Sequence, residues 1–248
     1  AAFAHADSPV GQWAWAGGAP LVSGLVAVIG VLFALAFLAL RRIDIGAGSG
    51  QLLLALVLAI SGLLLPLDTA ATDGRLRVAA VQGNVPNRGL DSFSQAREVL
   101  QNHLAGTESL LGSGEFDVVL WPENSSDIDP TVDGDAAAAI GAAARTVGAP
   151  ILVGTDNYPE SGGRLNRALL WDPARGPLDI YDKRRPAPFA EYIPMRDFAR
   201  RFSAAVDRVR TDMIGGDGRG VIELDSPRLG RSVPLGVGIC FEVAYDDL

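Results

Sequence analysis

The chain has 248 residues, 48% of them hydrophobic, with 29 acidic against 21 basic side chains and a formal net charge of −8. An acidic chain lacks the basic surface that displaces counterions from nucleic acid, so nucleic-acid binding is excluded as a function class. A single cysteine excludes an intrachain disulfide and any cysteine-cluster metal site, and no metal or cofactor is expected.

Residues 1–19 carry Trp13 and Trp15 ahead of the first apolar run and read as an extracytoplasmic loop, with the tryptophans at the interface. Residues 20–40 are 21 uncharged residues, which at ~1.5 Å per residue make a helix of about 30 Å, the thickness of a bilayer core. This run is too long for a signal peptide and has no basic segment before it. Residues 51–67 form a second uncharged run, shorter and ending at Pro66-Leu67. The connector, residues 41–50, carries Arg41 and Arg42 against Asp44, and the excess of positive charge places it in the cytoplasm. The expectation is a multi-pass cell-membrane protein whose remaining domain is extracytoplasmic.

Residues 68–75 are the linker where composition turns from membrane to globular, and residues 76–248 form the expected globular domain. Strand-like runs at 77–82, 117–121, 149–154, 168–172 and 232–240 alternate with helical patterns at 92–111 and 134–147, an α/β order. Residues 196–210 place Phe198, Phe202, Val206 and Val209 at helical spacing with arginines on the other face. That pattern predicts one amphipathic helix, either lying on an anionic membrane or packed on the core. Gly215-Gly216-Asp217-Gly218 reads as a flexible stretch, since no strand and no Lys-Ser/Thr frame a phosphate loop. The chain lacks an initiating Met and ends eight residues after its cysteine, so it reads as a fragment of a longer protein. Its Ala, Gly and Arg bias points to an actinobacterial source.

Three residues stand just past the ends of strand-like runs: Glu123 after Val-Val-Leu-Trp-Pro, Lys183 after Ile-Tyr-Asp, and Cys240 after Val-Gly-Ile. A thiol near its ordinary pKa is only a few per cent thiolate at neutral pH, so a carboxylate that takes its proton during attack makes it reactive. Adding the sulfur to an acyl carbonyl puts negative charge on oxygen, which an ammonium stabilises. Glu123, Lys183 and Cys240 supply base, cation and nucleophile. A Cys-His dyad is disfavoured, because His5 precedes the first apolar run and His103 falls within a helical pattern.

The ordered set Glu123 in Trp-Pro-Glu, Lys183 in Tyr-Asp-Lys and Cys240 in Gly-Ile-Cys-Phe-Glu, 60 and 57 residues apart, resembles the Glu-Lys-Cys triad of the nitrilase (carbon–nitrogen hydrolase) superfamily. Val81-Gln82-Gly83-Asn84, Pro188-Phe189-Ala190-Glu191-Tyr192-Ile193-Pro194 and the preceding apolar runs resemble its apolipoprotein N-acyltransferase branch rather than the soluble amidases. The resemblance implies a nitrilase-like α-β-β-α sandwich preceded by transmembrane helices. It implies that Cys240 takes a fatty acyl group from a phospholipid as a thioester and passes it to the α-amine of a diacylated lipoprotein, with Glu123 as base and Lys183 on the oxyanion.

By the same resemblance Glu191 and Glu242 support Lys183 and the pocket. Phe241 stands where the family often has a Tyr, and it keeps a packing role without the hydroxyl. Phe198 and Phe202 are expected in a loop over the active site that admits lipid. Two alternatives stay open: a membrane-tethered hydrolase using the same triad on a small amide or nitrile, and a catalytically silent membrane scaffold.

Overall fold

The structure, a computed structural model, describes residues 2–67, 73–84 and 97–245. The chain divides into two compact units, residues 1–72 and 73–248.

In the first unit, a 3-10 turn at Pro9–Trp13 leads into α1 (Ala14–Arg41), and α2 (Ile45–Ile60) returns alongside it. α1 is interrupted where Gly17 and Gly18 leave helical geometry, and Pro20 follows in the first turn after the break, where its missing N–H is not needed. The second helix begins at Ile45, six residues before the apolar run that marked it in the sequence. Asp44 caps it by accepting from Ala47 N at 3.0 Å, so the connector shrinks to three residues, Arg42 to Asp44. Gly48 lets the early part of this helix lie close against α1. A Cβ on Gly48 would stand 2.8 Å from Leu40, and Ala36 and Ala55 are buried. Small residues at such a seam let the backbones approach.

Trp13 Nε1 donates to Ser61 Oγ at 2.9 Å and closes the pair at its other end, whereas Trp15 is exposed. Outside the seam the helices expose Val28, Val31, Phe33, Phe37, Leu53 and Leu56. With their flanking 3-10 turns, the helical stretches Pro9–Arg41 and Ile45–Leu64 are long and apolar enough to cross a membrane.

The second unit is built on a five-stranded sheet in the order β1-β2-β3-β4-β5, comprising Val78–Ala80, Val118–Leu120, Ile151–Asn157, Leu165–Asp172 and Gly176–Asp182. Strands β1 to β3 are parallel, while β4 and β5 join antiparallel. Alternation along the strands sorts two cores. Val119, Ile151, Val153, Leu169 and Trp171 face α3 (Glu98–Glu108) and α4 (Gly134–Val147), where Leu100, Ala136, Ile140 and Ala144 are buried. Val118, Ala168, Leu170 and Tyr181 face a hairpin of β6 (Val221–Ser226) and β7 (Arg231–Gly236) through Ile222 and Leu224. The layers run α, β, β, three of the four layers expected of an α-β-β-α sandwich.

The alanine-rich helix occupies the span read from its sequence and packs small residues against the sheet. Of residues 92–111, the stretch 92–96 lies outside the described residues. The strand expected at 232–240 ends at Gly236, and its partner β6 is a strand that the sequence reading passed over.

Residues 196–210 do not form one helix. A single turn, α5 (Arg196–Ala199), and a 3-10 turn at Ala204–Arg208 are separated by Ser203, which holds an extended conformation and caps the second turn. Arg196 breaks the helix by donating to the carbonyls of Val206 (3.1 Å) and Val209 (2.9 Å) and pairing with Asp212. Five hydrogen-bonding protons on one planar group fold the segment back on itself, which the apolar spacing alone does not reveal. Val206 is buried, while Phe198 and Phe202 stay exposed and meet edge-on at 5.0 Å.

One ionic cluster ties the two sheets together. Asp117, buried just before β2, accepts from Arg228 Nη2 (2.7 Å), from Arg77 N (2.6 Å) and from Ser226 Oγ (2.6 Å). Burial by itself would raise its pKa, but these donors outweigh it and bring the value down to about 2 from 3.8. A folded-state pKa below the unfolded value adds stability that is complete above about pH 5 and is lost as pH falls toward 2. Asp117→Asn is therefore expected to remove on the order of 2 kcal/mol at pH 6. Thermal unfolding of both proteins between pH 6 and pH 2 checks this, because the gap in Tm must close on the acid side; a gap that persists at pH 2 is the contrary result.

Candidate active site

Topology delivers Glu123 and Lys183 to one edge of the five-stranded sheet, while Cys240 lies beyond the separate β6-β7 hairpin. The parallel strands β1 to β3 end at a common edge, β4 starts there opposite the end of β3, and β5 finishes there with Asp182 opposite Arg167. Glu123 follows β2, and Lys183 follows β5.

The Glu123 turn is held from below. Pro122 ends the strand, and Asn124 takes a left-handed conformation (φ 54°). Ser125 Oγ donates to Gly154 O (3.1 Å) and accepts from Gly154 N (2.9 Å), while Ser126 N donates to the same carbonyl (2.9 Å). Gly154 is required for this contact, since a Cβ there would lie 2.4 Å from Pro122 O and 2.8 Å from Glu123 Cα. Ser125, Ser126 and Gly154 escaped the sequence reading, although the Ser-Ser pair directly after Pro-Glu-Asn is the signal that could have found them.

Lys183 is fully buried, and its Nζ lies 2.7 Å from Glu191 Oε1 and 4.0 Å from Glu123 Oε1. A buried ammonium is tolerated only when paired and hydrogen-bonded, and Glu191 meets that need. Glu191 Oε2 also accepts from Ala187 N at 2.7 Å, which folds the Pro-rich loop around the lysine. Lys183 N donates to Asn166 O and Gly216 N donates to Lys183 O, both at 2.8 Å. The glycine stretch is thus a close packing against the lysine segment: a Cβ on Gly216 would stand 2.4 Å from Asp182 O. Arg167 grips Asp182 with two bonds of 2.7 and 2.9 Å and fixes the strand end one residue before Lys183. Asp156 pairs with Arg164 at 2.8 Å. Burial raises its pKa, and the negative charge of Glu191 adds to the rise.

Cys240 opens a 3-10 turn, Cys240–Ala244, directly after buried Ile239; it is exposed and holds a left-handed backbone conformation with φ 55°. For a residue with a Cβ this geometry costs about 1–2 kcal/mol, and it lifts the side chain off the strand direction as a nucleophile turn must. Glu242 holds the turn in place. Its Oε2 accepts from Ile239 N (2.9 Å), and its Oε1 accepts from Tyr181 Oη (2.9 Å), Arg184 N (2.7 Å) and Arg185 N (3.0 Å). One buried carboxylate therefore binds the cysteine turn to the backbone just after Lys183. Burial, followed by the Glu242 hydrogen bond and charge, pushes the Tyr181 hydroxyl up to about 12, so it keeps its proton for that bond.

Expectations for the two supporting glutamates separate here: Glu191 serves Lys183, and Glu242 serves the turn. Phe241 is exposed and packs edge-on against Tyr245 at 5.9 Å. His103 is buried on the helix side of the sheet, bonded to Val99 O and set against Trp121, and so takes no part with Cys240, which follows the opposite core.

The chain is 36% identical to an apolipoprotein N-acyltransferase of Mycolicibacterium smegmatis over 98% of its own length, and 30% identical to one of Thermosynechococcus vestitus over 89%. The chain is a homologue of the apolipoprotein N-acyltransferases. It spans 44% and 41% of the lengths of those two relatives. No family model matches it. Among solved structures it is similar to a CN-hydrolase superfamily protein of Xanthomonas campestris (TM-score 0.45, 20% identity, 68% of this chain and 55% of that one). It is also similar to an amidase from Nesterenkonia (TM-score 0.47, 16% identity, 71% and 60%). The actinobacterial composition agrees with the Mycolicibacterium relative.

Proposed function

We propose that this chain carries the acyl-transfer centre of an apolipoprotein N-acyltransferase, with Cys240 as nucleophile, Glu123 as general base and Lys183 as oxyanion partner. The observation that carries the reading is Lys183, buried between Glu123 and Glu191 beside the loop to which Glu242 ties the Cys240 turn. Glu123 retains partial exposure at 30% of its side chain, enough to meet an incoming thiol proton.

Cys240 Sγ adds to the ester carbonyl of a phospholipid while Glu123 takes the thiol proton. Substrate entry uncovers Lys183, whose remaining N–H groups meet the oxyanion. Collapse expels the lysophospholipid oxygen, which recovers the proton from Glu123 and leaves a thioester. The α-amine of a diacylglyceryl-cysteine then attacks, giving its proton to Glu123, and the departing Cys240 sulfur takes it back as the amide forms.

Transfer prevails over hydrolysis where lipid holds water away from the thioester. The two apolar helices support that setting and a place in the cell membrane, with this unit on the extracytoplasmic side. Exposed Phe198 and Phe202 are suited to dip into lipid, as single anchors on a folded loop.

Labelled phospholipid vesicles and a diacylglyceryl-cysteine peptide test the reading with the full-length protein: N-acylated peptide is expected, while release of free fatty acid or turnover of small amides alone identifies a hydrolase. Phe198→Asp combined with Phe202→Asp is expected to lower acylation from vesicles about tenfold, the loss expected when two apolar anchors are withdrawn from lipid. It leaves labelling of Cys240 by a small soluble electrophile unchanged. Equal loss of both signals contradicts the lipid-facing role.

A further inference from the structure

Asn166, the second residue of β4, is buried to 1% exposure on the strand face that also carries Ala168 and Leu170. Its amide makes one hydrogen bond, from Nδ2 to Glu123 Oε1 at 2.5 Å. Its Oδ1 is buried and has no hydrogen-bond partner among the described residues. Its backbone carbonyl accepts from Lys183 N at 2.8 Å. One residue therefore touches both the base and the lysine of the proposed triad.

The energetics of the side chain argue for a task other than stability. A buried amide oxygen left unpaired costs about 1–3 kcal/mol, and an apolar residue there would avoid that cost. The orientation is also determined, because a flipped amide would set Oδ1 against the Glu123 carboxylate. What the amide accomplishes is to occupy Oε1 of Glu123. Among the described residues Oε2 of Glu123 accepts no hydrogen bond, so it is the oxygen left for a proton.

We propose that Asn166 is the positioning residue for Glu123, fixing Oε1 so that Oε2 is presented to the thiol, while its carbonyl sets the start of the Lys183 loop. This assignment rests on the acyl-enzyme reading above. It acts through Glu123, so its effect must vanish when Glu123 can no longer take a proton.

The test is a double-mutant cycle in the full-length protein, following acylation of Cys240 from phospholipid vesicles. Asn166→Val is expected to slow acylation on the order of 100-fold, the scale of losing a general base. The phospholipid level for half-saturation stays unchanged, and Tm is equal or higher. In a Glu123→Gln background the same change is expected to add less than about twofold, the coupling expected of two groups acting as one. Asn166→Ala repeats the measurement with a smaller side chain.

An acylation rate unaltered by Asn166→Val, or a loss of equal size in both backgrounds, overturns the assignment. Unfolding of both Asn166 variants also overturns it, because the amide would then serve the fold. A wild-type protein that never acylates Cys240 overturns the acyl-enzyme reading and this assignment with it, whereas normal wild-type acylation with an indifferent Asn166 overturns the assignment alone.

Discussion

Cys240→Ser is expected to abolish acyl transfer while leaving the protein folded. The replaced sulfur sits on an exposed turn, so a hydroxyl fits without disturbing the core. The serine hydroxyl has a far higher pKa than a thiol, so the same carboxylate cannot activate it in the same way. Glu242 still holds the turn by its bonds to Ile239 N, Arg184 N and Arg185 N. Wild-type and variant Tm values therefore remain close while turnover disappears. Measuring N-acylated peptide and Tm on the same preparations checks both halves, and residual transfer at a tenth of the wild-type rate or more removes Cys240 from the mechanism.

The second large effect concerns the pair that surrounds the reaction. Glu123→Gln keeps the shape of the side chain and an oxygen for Asn166 to bond, yet cannot accept a proton, and a loss on the order of 100-fold or more in turnover is expected. Lys183→Ala is expected to lose activity on the same scale through the oxyanion, and it also destabilises the domain. Removing the ammonium leaves Glu191 partly buried with its Lys183 bond gone, and breaking such a pair costs about 3–5 kcal/mol. The two variants thus differ in a measurable way: both lose turnover, but only Lys183→Ala lowers Tm by many degrees. Wild-type turnover in either variant excludes that residue from the reaction.

Part of the candidate site was legible in the sequence because Glu123 and Lys183 obey a local rule. Each follows a strand, and the two strand ends meet at one edge of the five-stranded sheet, whereas Cys240 lies beyond the end of β7 in the separate hairpin. The sequence also showed the alanine-rich helix, whose small residues and length needed no tertiary information.

Asn166 was not legible, since a polar residue near the start of a strand looks like a solvent-facing position until the register places it against Glu123. The division of labour between Glu191 and Glu242 was likewise invisible, because it depends on which backbone N–H groups each carboxylate meets in space. The stretch 196–210 was misread as one helix for the opposite reason: its apolar spacing is a local signal, and the Arg196 guanidinium, bonding ten and thirteen residues ahead, overrides it. β6 carries a clean alternation, Val221 to Ser226, that periodicity could have shown. The early start of α2 could not be seen in hydropathy, since it rests on the Asp44 cap and on Gly48, which is helical there through packing on α1 rather than by propensity.

The central claim is that Cys240 carries the acyl group between donor and acceptor. Mass spectrometry of the full-length protein isolated from membranes, with proteolysis to the Cys240 peptide, measures this directly. The account predicts a fatty-acyl mass addition on Cys240 that is released by hydroxylamine, disappears when a diacylglyceryl-cysteine peptide is added, and is absent from Cys240→Ser. An unmodified Cys240 in a preparation that is turning phospholipid over, or an acyl group that resides on another residue, would contradict it.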